Sequence, residues 1–483
     1  MSPNKSVAAI RWFRIVTCTL YVFLLVFAAR NLTAETLWYD EAGQFFISKG
    51  LNHWSEPYAS EGDLMDVIYS NSHYNQDPGG YSIILHYWSM VSDSSLWLKL
   101  LSFLFYIGAI IFTCVAVRKI TGNNVAGMIS GLFLFALWGG GSQCHELRAY
   151  SMELCGMAYG LWMVFYLREH LSMQRLLACS AILSIFITAR YTMLIAGGVY
   201  CCSVLYLIWR SDSDNTRMKI FKTVTFSLLP LCTVVYVYFA AMTIQNADMR
   251  PLSYINYLET GKRVVIFWLL TLIIVSTWRK LTSNLRLLTL IFLAFNLLFI
   301  VLGALKMLPW NFFGNKGGPF IWMLYVVLYS WVTSLLGKHA NRQSFRWVSL
   351  GAVCIIIAGV SVLYGASNLQ RSYFFDTAGL LRGIDYKNTP TIYTSRGASP
   401  EVRYLFEYGA LTDLAREAGY PNKFHMLKGT IHCVGVNKRD MKQLNGAILD
   451  SLPNGSILLS NFLMNDTIPE SYREIAERIY VKQ

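Results

Sequence analysis

Apolar runs of about twenty residues recur along this chain, the length an α-helix needs to cross a hydrocarbon layer about 30 Å thick. A backbone inside lipid must satisfy its hydrogen bonds internally, so such runs admit helices and little else. Of the 483 residues, 54% are hydrophobic and only 14% are charged, the composition of a membrane protein. The pattern predicts about eleven spans, near 12–30, 96–117, 124–141, 150–167, 175–190, 191–209, 220–240, 263–278, 287–305, 318–336 and 347–365. The first run is too long, and too weakly flanked by a cleavage site, to be a removed signal peptide.

Basic residues orient these spans. Lys5, Arg11 and Arg14 precede the first, Arg118 and Lys119 follow the second, and Arg168 and Arg175 bracket the fourth and fifth. Arg210, Arg217, Lys219 and Lys222 follow the sixth, and further clusters stand at Arg279, Lys280 and Arg286 and at Lys338, Arg342 and Arg346. Every second loop is basic, and the positive-inside rule puts these loops and the N-terminus in the cytoplasm. The net charge of +13 is then a mark of topology, and no basic domain offers itself to nucleic acid. Eight of the ten cysteines fall inside expected spans as packing residues. Cys144 and Cys433 are the external ones, and no CxxC or zinc spacing occurs.

Three parts follow in order. Residues 31–95 form a polar external loop with short amphipathic pieces, and 81–88, rich in aromatics and too short to span, reads as a helix lying in the interface. The membrane body runs from about 96 to 365. After it, 367–483 alternates strand patterns at 391–393, 431–434 and 456–459 with helical patterns near 399–418, 438–450 and 468–478, a small α/β domain. The expected fold class is an α-helical polytopic membrane protein with this small α/β domain outside. The expected domains are 1–366, including the loop 31–95, and 367–483. No GxGxxG or P-loop signals a nucleotide site.

Chemistry concentrates on the external face. Asp40 and Glu41 follow the first span, and a carboxylate there can accept a proton from an attacking hydroxyl. They can equally cap and begin a helix. Asp77, in Asp77-Pro78-Gly79-Gly80-Tyr81, is a turn residue, a second acid or a metal ligand. Glu146, Arg148 and Tyr150 stand at a helix end facing the membrane, where charges must be paired or used. Arg148 can grip a phosphate bidentately, with Glu146 orienting it and Tyr150 donating a hydrogen bond, or the group is an interfacial salt bridge with an aromatic anchor. Arg190 and Lys316 add external cations that can also simply snorkel.

In this order the residues resemble the GT-C superfamily of polytopic glycosyltransferases, the group that includes protein O-mannosyltransferases and lipid A aminoarabinose transferases. The superfamily's acidic pair matches Asp40-Glu41. Its turn and interfacial helix resemble residues 77–88, with Asp77 and Gly79 in place of a His and a Pro. Its Ser-Gln-Glu-x-Arg-x-Tyr motif is similar to Ser142-Gln143, a two-residue insertion, then Glu146-x-Arg148-x-Tyr150. The motifs lie in the first 200 residues or so, and the rest is similar by architecture. A basic motif that commonly opens a late span is represented by Lys316 alone.

The resemblance implies an inverting transfer from a polyprenyl-phosphate sugar on the external face. Asp40, paired with Glu41, would be catalytic, as the base. Arg148, with Lys316 or Arg190, would neutralise the leaving phosphate, and Asp77, Tyr81, Glu146 and Tyr150 would line the substrate. No cofactor is called for; Asp77 leaves room for a divalent cation without arguing for one. Size and layout are similar to serotype-modifying O-antigen glucosyltransferases. That implies a glycan or glycolipid acceptor, a bacterial inner membrane and a periplasmic C-terminal domain. The alternatives are a protein acceptor, a flippase for lipid-linked sugars, which should show half-repeats and broken helices at the midplane, and a glycan polymerase or ligase.

Overall fold

Long apolar stretches of the chain wind into helices because an intrahelical bond is the cheapest partner for each peptide group away from water. The computed structural model describes residues 3–53, 55–75, 77–136, 146–212, 214–244, 265, 268–269, 271–304, 318–336, 342–364, 377–385, 391–395, 399–427, 449–459, 469–476 and 479–483. In chain order these begin with α1 (Pro3–Ala29), α2 (Tyr39–Ser48), α3 (Leu64–Tyr74), α4 (Gly80–Ser89) and α5 (Ser95–Thr121). Six described helices are long and apolar enough to cross a membrane, at Ile10–Ala29, Ser95–Thr121, Tyr191–Arg210, Thr216–Met242, Ser283–Leu302 and Gly318–Leu335. Helices also cover Tyr150–Glu169, Met173–Ile187 and Arg342–Tyr364, at further expected spans. This is an integral membrane protein.

The chain divides into two compact units, 1–30 with 77–81 and 102–369, and 31–76 with 82–101 and 370–483. The loop 31–95, expected to belong with the membrane body, is thus largely grouped with the C-terminal residues.

In the first unit, small residues set the helix packing. A Cβ on Gly160 would meet the Tyr200 ring at 2.2 Å, and one on Gly156 would meet Phe186 Cβ at 2.7 Å. The Tyr150–Glu169 helix therefore lies backbone-close to its neighbours at Met173–Ile187 and Tyr191–Arg210, as small residues allow between membrane helices. Two phenols tie down backbone carbonyls across the same contacts, Tyr200 donating to Met157 O at 2.9 Å and Tyr159 to Cys179 O at 3.1 Å.

The second unit carries a five-stranded sheet in the order β2-β1-β3-β5-β4, from Phe424–Leu427 (β2), Ile392–Ser395 (β1), Ile457–Leu459 (β3), Ile479–Lys482 (β5) and Tyr472–Ala476 (β4). β1 pairs in parallel with β2 and β3, while β5 runs antiparallel to β3 and β4. Val402, Leu405 and Phe406 of the Ser399–Glu407 helix bury against Ile392, Phe424, Ile457 and Ile479. The expected strands at 391–393 and 456–459 are present, slightly shifted. The expected helix over 399–418 is two helices, Ser399–Glu407 and Thr412–Glu417. The strand expected at 431–434 lies outside the described residues, as does most of the helix expected at 438–450.

One expectation is overturned. Residues 468–478 read as a helix, yet Tyr472–Ala476 is a strand. The Arg-Glu pattern imitates an exposed helix, but the segment gains a ladder partner in β5, and Tyr472 donates to Leu449 O at 2.7 Å. Tertiary pairing outweighs a local preference worth only tenths of a kcal/mol per residue.

Replacing Gly160 with valine should destabilise the first unit by about 1–3 kcal/mol, the cost of overpacking a filled contact. The check is thermal unfolding of the purified protein in detergent, with Gly198→Val, where an added Cβ meets nothing within 4 Å, as the control that should unfold near the wild-type temperature.

Candidate active site

Asp40 and Glu41 open α2 in the second unit. Trp38 is the N-cap, and Glu41, at the third helical position, accepts from the Trp38 backbone N–H at 3.1 Å. This is one half of a capping box, since an indole has no oxygen with which to return the bond. Both carboxylates lie in the first turn, where the helix dipole favours negative charge. Their exposures differ: Glu41 is buried at 4%, whereas Asp40 is half-buried. Glu41 thus has a structural task, and Asp40 is the carboxylate with more access to solvent.

The surroundings of Glu41 are polar and tightly used. Lys99 is buried, donates to Ala34 O at 3.0 Å and Thr36 O at 2.8 Å, and is attracted to Glu41. Burial raises the Tyr404 phenol far above its ordinary value, with the charges of Asp93 and Glu41 adding to the effect. It therefore stays protonated and donates to Asp93 O at 2.9 Å. His53, absent from the sequence expectations, lies against the same turn, its ring 5.4 Å from that of Tyr39 and filling the space a Cβ on Gly43 would need.

A closed ring of buried hydrogen bonds fixes α2 behind these groups. Gln44 donates to Ser82 Oγ at 2.7 Å, and Ser82 to Asn71 Oδ1 at 2.7 Å. Asn75 donates to both Asn71 Oδ1 and Gln44 Oε1 at 3.1 Å. Such a satisfied network rigidifies the elements it joins, here α2, α3 and the 82–89 part of α4.

The remaining described candidates belong to the first unit. Asp77 is buried, and its Oδ1 accepts from the Gly79 backbone N–H at 3.0 Å. That bond makes an Asx turn, with Gly79 at φ 91°, a conformation glycine adopts freely. Gly80 then donates its N–H to Thr188 O at 3.0 Å, and Thr188 Oγ1 lies 1.8 Å from where a Gly80 Cβ would sit. The turn is pressed against the segment that carries Arg190, and Asp77 acts electrostatically on Tyr191. Tyr81, expected to line the substrate, packs into the core of this unit. It is fully buried, with its hydroxyl 2.6 Å from Ser102 Oγ, because α4 turns this face inward.

Arg190 has two partners on one helix. Its Nη1 donates to Glu153 Oε2 at 3.3 Å, and its Cζ stands 4.4 Å from the Tyr150 ring centroid. Glu153 was missed from the sequence, although an acid inside an otherwise apolar run, one turn after Tyr150, is the signal that could have exposed it. Glu146 is buried, while Arg148 and Tyr150 are half-buried. The structure thus joins Tyr150 to Arg190 and brings the Asp77 turn onto the chain beside Arg190. Lys316 lies outside the described residues. Thr188 also lines an open groove of about 370 Å³ between the Met173–Ile187 and Thr216–Val237 helices, with Ser184, Leu229, Thr233 and Tyr236. Among the described residues no three His, Cys, Asp or Glu side chains gather as a metal site would require.

No family model matches the sequence, and no curated protein does. Among solved structures, ArnT from Cupriavidus metallidurans in the apo state matches with a TM-score of 0.50 at 14% identity, over 94% of this chain and 93% of that one. This is the GT-C fold. Arabinosyltransferase EmbB from Mycobacterium smegmatis matches with a TM-score of 0.41 at 12% identity, over 82% of this chain and 42% of its own.

Asp77→Asn keeps the oxygen that accepts from Gly79, whereas Asp77→Ala removes it and should cost about 1–2 kcal/mol of stability. If Asp77 only shapes the turn, thermal unfolding and activity should fall together in the alanine variant and both persist in the asparagine variant. Loss of activity alone in Asp77→Asn would give the carboxylate a chemical role.

Proposed function

We propose that this protein is a membrane glycosyltransferase that moves a sugar from a polyprenyl-phosphate donor to a cell-surface glycan or glycolipid of the O-antigen kind. One observation carries the reading above the others: the fold shared with ArnT runs along 94% of the chain. ArnT is an aminoarabinose transferase of the GT-C superfamily. The open groove beside Thr188 agrees with a lipid-borne substrate, being lined mainly by residues of two helices of the membrane body. The basic loops favour a cytoplasmic N-terminus and a C-terminal domain on the opposite face; with a layout similar to O-antigen glucosyltransferases, that membrane would be a bacterial inner membrane and that face the periplasmic one.

The reaction inverts the anomeric centre. An acceptor hydroxyl oxygen attacks the anomeric carbon, and the bond from that carbon to the phosphate oxygen breaks. The bonding pair leaves with the phosphate, and the hydroxyl proton passes to Asp40. Positive charge builds at the anomeric carbon in the transition state, as it does in glycoside hydrolysis. Arg148 and Arg190 offset the charge growing on the leaving phosphate, so no acid needs to protonate it. A guanidinium suits this task through its planar fork of donors. The choice of Asp40 over Glu41 as the base is supported by the burial of Glu41 and its bond to the Trp38 backbone N–H.

The test is sugar transfer in membranes holding wild-type protein or Asp40→Asn, fed a panel of labelled polyprenyl-phosphate sugars, with products recovered from glycan, glycolipid and protein fractions. Transfer from one donor into glycan or glycolipid, falling at least about 100-fold in the variant, is expected for loss of a general base. Full transfer by Asp40→Asn would remove the base assignment. Labelled lipid crossing vesicle membranes with no transfer from any donor would mean a transporter instead.

A further inference from the structure

The phosphate role leaves one feature of Arg190 unexplained, namely that its ionic partner is a carboxylate shut away from solvent. The Glu153 side chain is 2% exposed and that of Arg190 16%. Tyr150 and Glu153 stand three residues apart on the Tyr150–Glu169 helix and so share a face. Between them they hold the guanidinium, with Glu153 taking an N–H at 3.3 Å and Tyr150 lying 4.4 Å from Cζ. A cation–π contact holds the group in place but leaves its charge intact, whereas the carboxylate both holds it and offsets its charge.

We propose that Glu153 is the positioning residue of Arg190, holding the guanidinium over the Tyr150 ring and offsetting its charge so that the lipid phosphate is bound for transfer yet let go afterwards. The inference rests on the reading of Arg190 as a phosphate ligand. Its logic is electrostatic. The donor is a phosphodiester with one negative charge, and the departing lipid monophosphate carries up to two. An uncompensated guanidinium in an apolar setting would hold the product more tightly than the donor and slow its release. A carboxylate behind the guanidinium weakens that grip, and the weakening grows with the charge on the phosphate. Binding energy is thereby kept for the transition state instead of being spent on the product.

The experiment uses the full chain in detergent, with a short-chain polyprenyl monophosphate as probe and the matching uncharged polyprenol as control. Transfer kinetics are measured with the donor that the panel selects. Glu153→Gln should lower kcat by roughly 100-fold through misplacement of the guanidinium, while binding of the monophosphate tightens roughly tenfold and binding of the polyprenol stays the same. A fall in kcat with monophosphate binding unchanged or weaker overturns the inference, since a merely structural residue would behave so. Glu153→Asp keeps the charge but draws the oxygen back by a methylene. It should lose kcat with near wild-type monophosphate binding, and wild-type kcat in this variant also overturns the proposal, even where Glu153→Gln does not fold. Arg190→Ala separates the two levels. If it keeps both kcat and monophosphate binding, the phosphate role of Arg190 fails; if it loses both while Glu153→Gln shows no tightening, only the role of Glu153 fails.

Discussion

A charge removed from water must be given a partner in the same place, and the described structure meets that demand repeatedly. Arg190 is matched by Glu153 in the first unit. In the second, buried Lys99 is met by two carbonyls and the field of Glu41. Arg403 there forks onto Glu407 at 2.8 and 3.0 Å and reaches Ser55 O at 2.6 Å and Glu56 O at 3.3 Å. An unmatched charge in such positions costs several kcal/mol, a large share of what holds a domain folded. Geometry around these groups is therefore narrowly set, and narrowly set polar groups are what a site for a charged headgroup requires.

The Arg403 fork also accounts for the grouping of the chain. Residues 31–76 and 82–101 lie far in sequence from 370–483, yet they form one unit. Phe45 meets Tyr404 and Tyr408 edge-on at 5.2 and 5.0 Å, and Glu407 accepts from the Tyr58 backbone N–H at 3.3 Å. Such contacts span about 350 residues and leave no trace in local periodicity. The expected boundary at 366 followed the last hydrophobic run, whereas these contacts join residues that no local pattern connects.

What was legible in the sequence was what depends on local pattern. Apolar runs predicted the helices of the membrane body, β-branched stretches predicted β1 and β3, and Pro78 with its glycines predicted the turn before α4. The order of the acidic pair, the turn and the Glu-x-Arg-x-Tyr motif pointed to the GT-C fold. What escaped was decided by partners. Tyr81 reads as an interfacial aromatic until Ser102 takes its hydroxyl, and Tyr472–Ala476 reads as helical until β5 lies beside it. Glu153 escaped because its importance comes from Arg190, thirty-seven residues further on.

The opening turn of α2 has a consequence for how acid is distributed there. Neighbours on an α-helix point about 100° apart, so Asp40 and Glu41, adjacent in sequence, are not adjacent in function. One carboxylate is turned inward to fasten the helix start, and the other is left at the rim. Two acids side by side in the sequence are thereby given separate work by nothing more than the pitch of the helix that holds them.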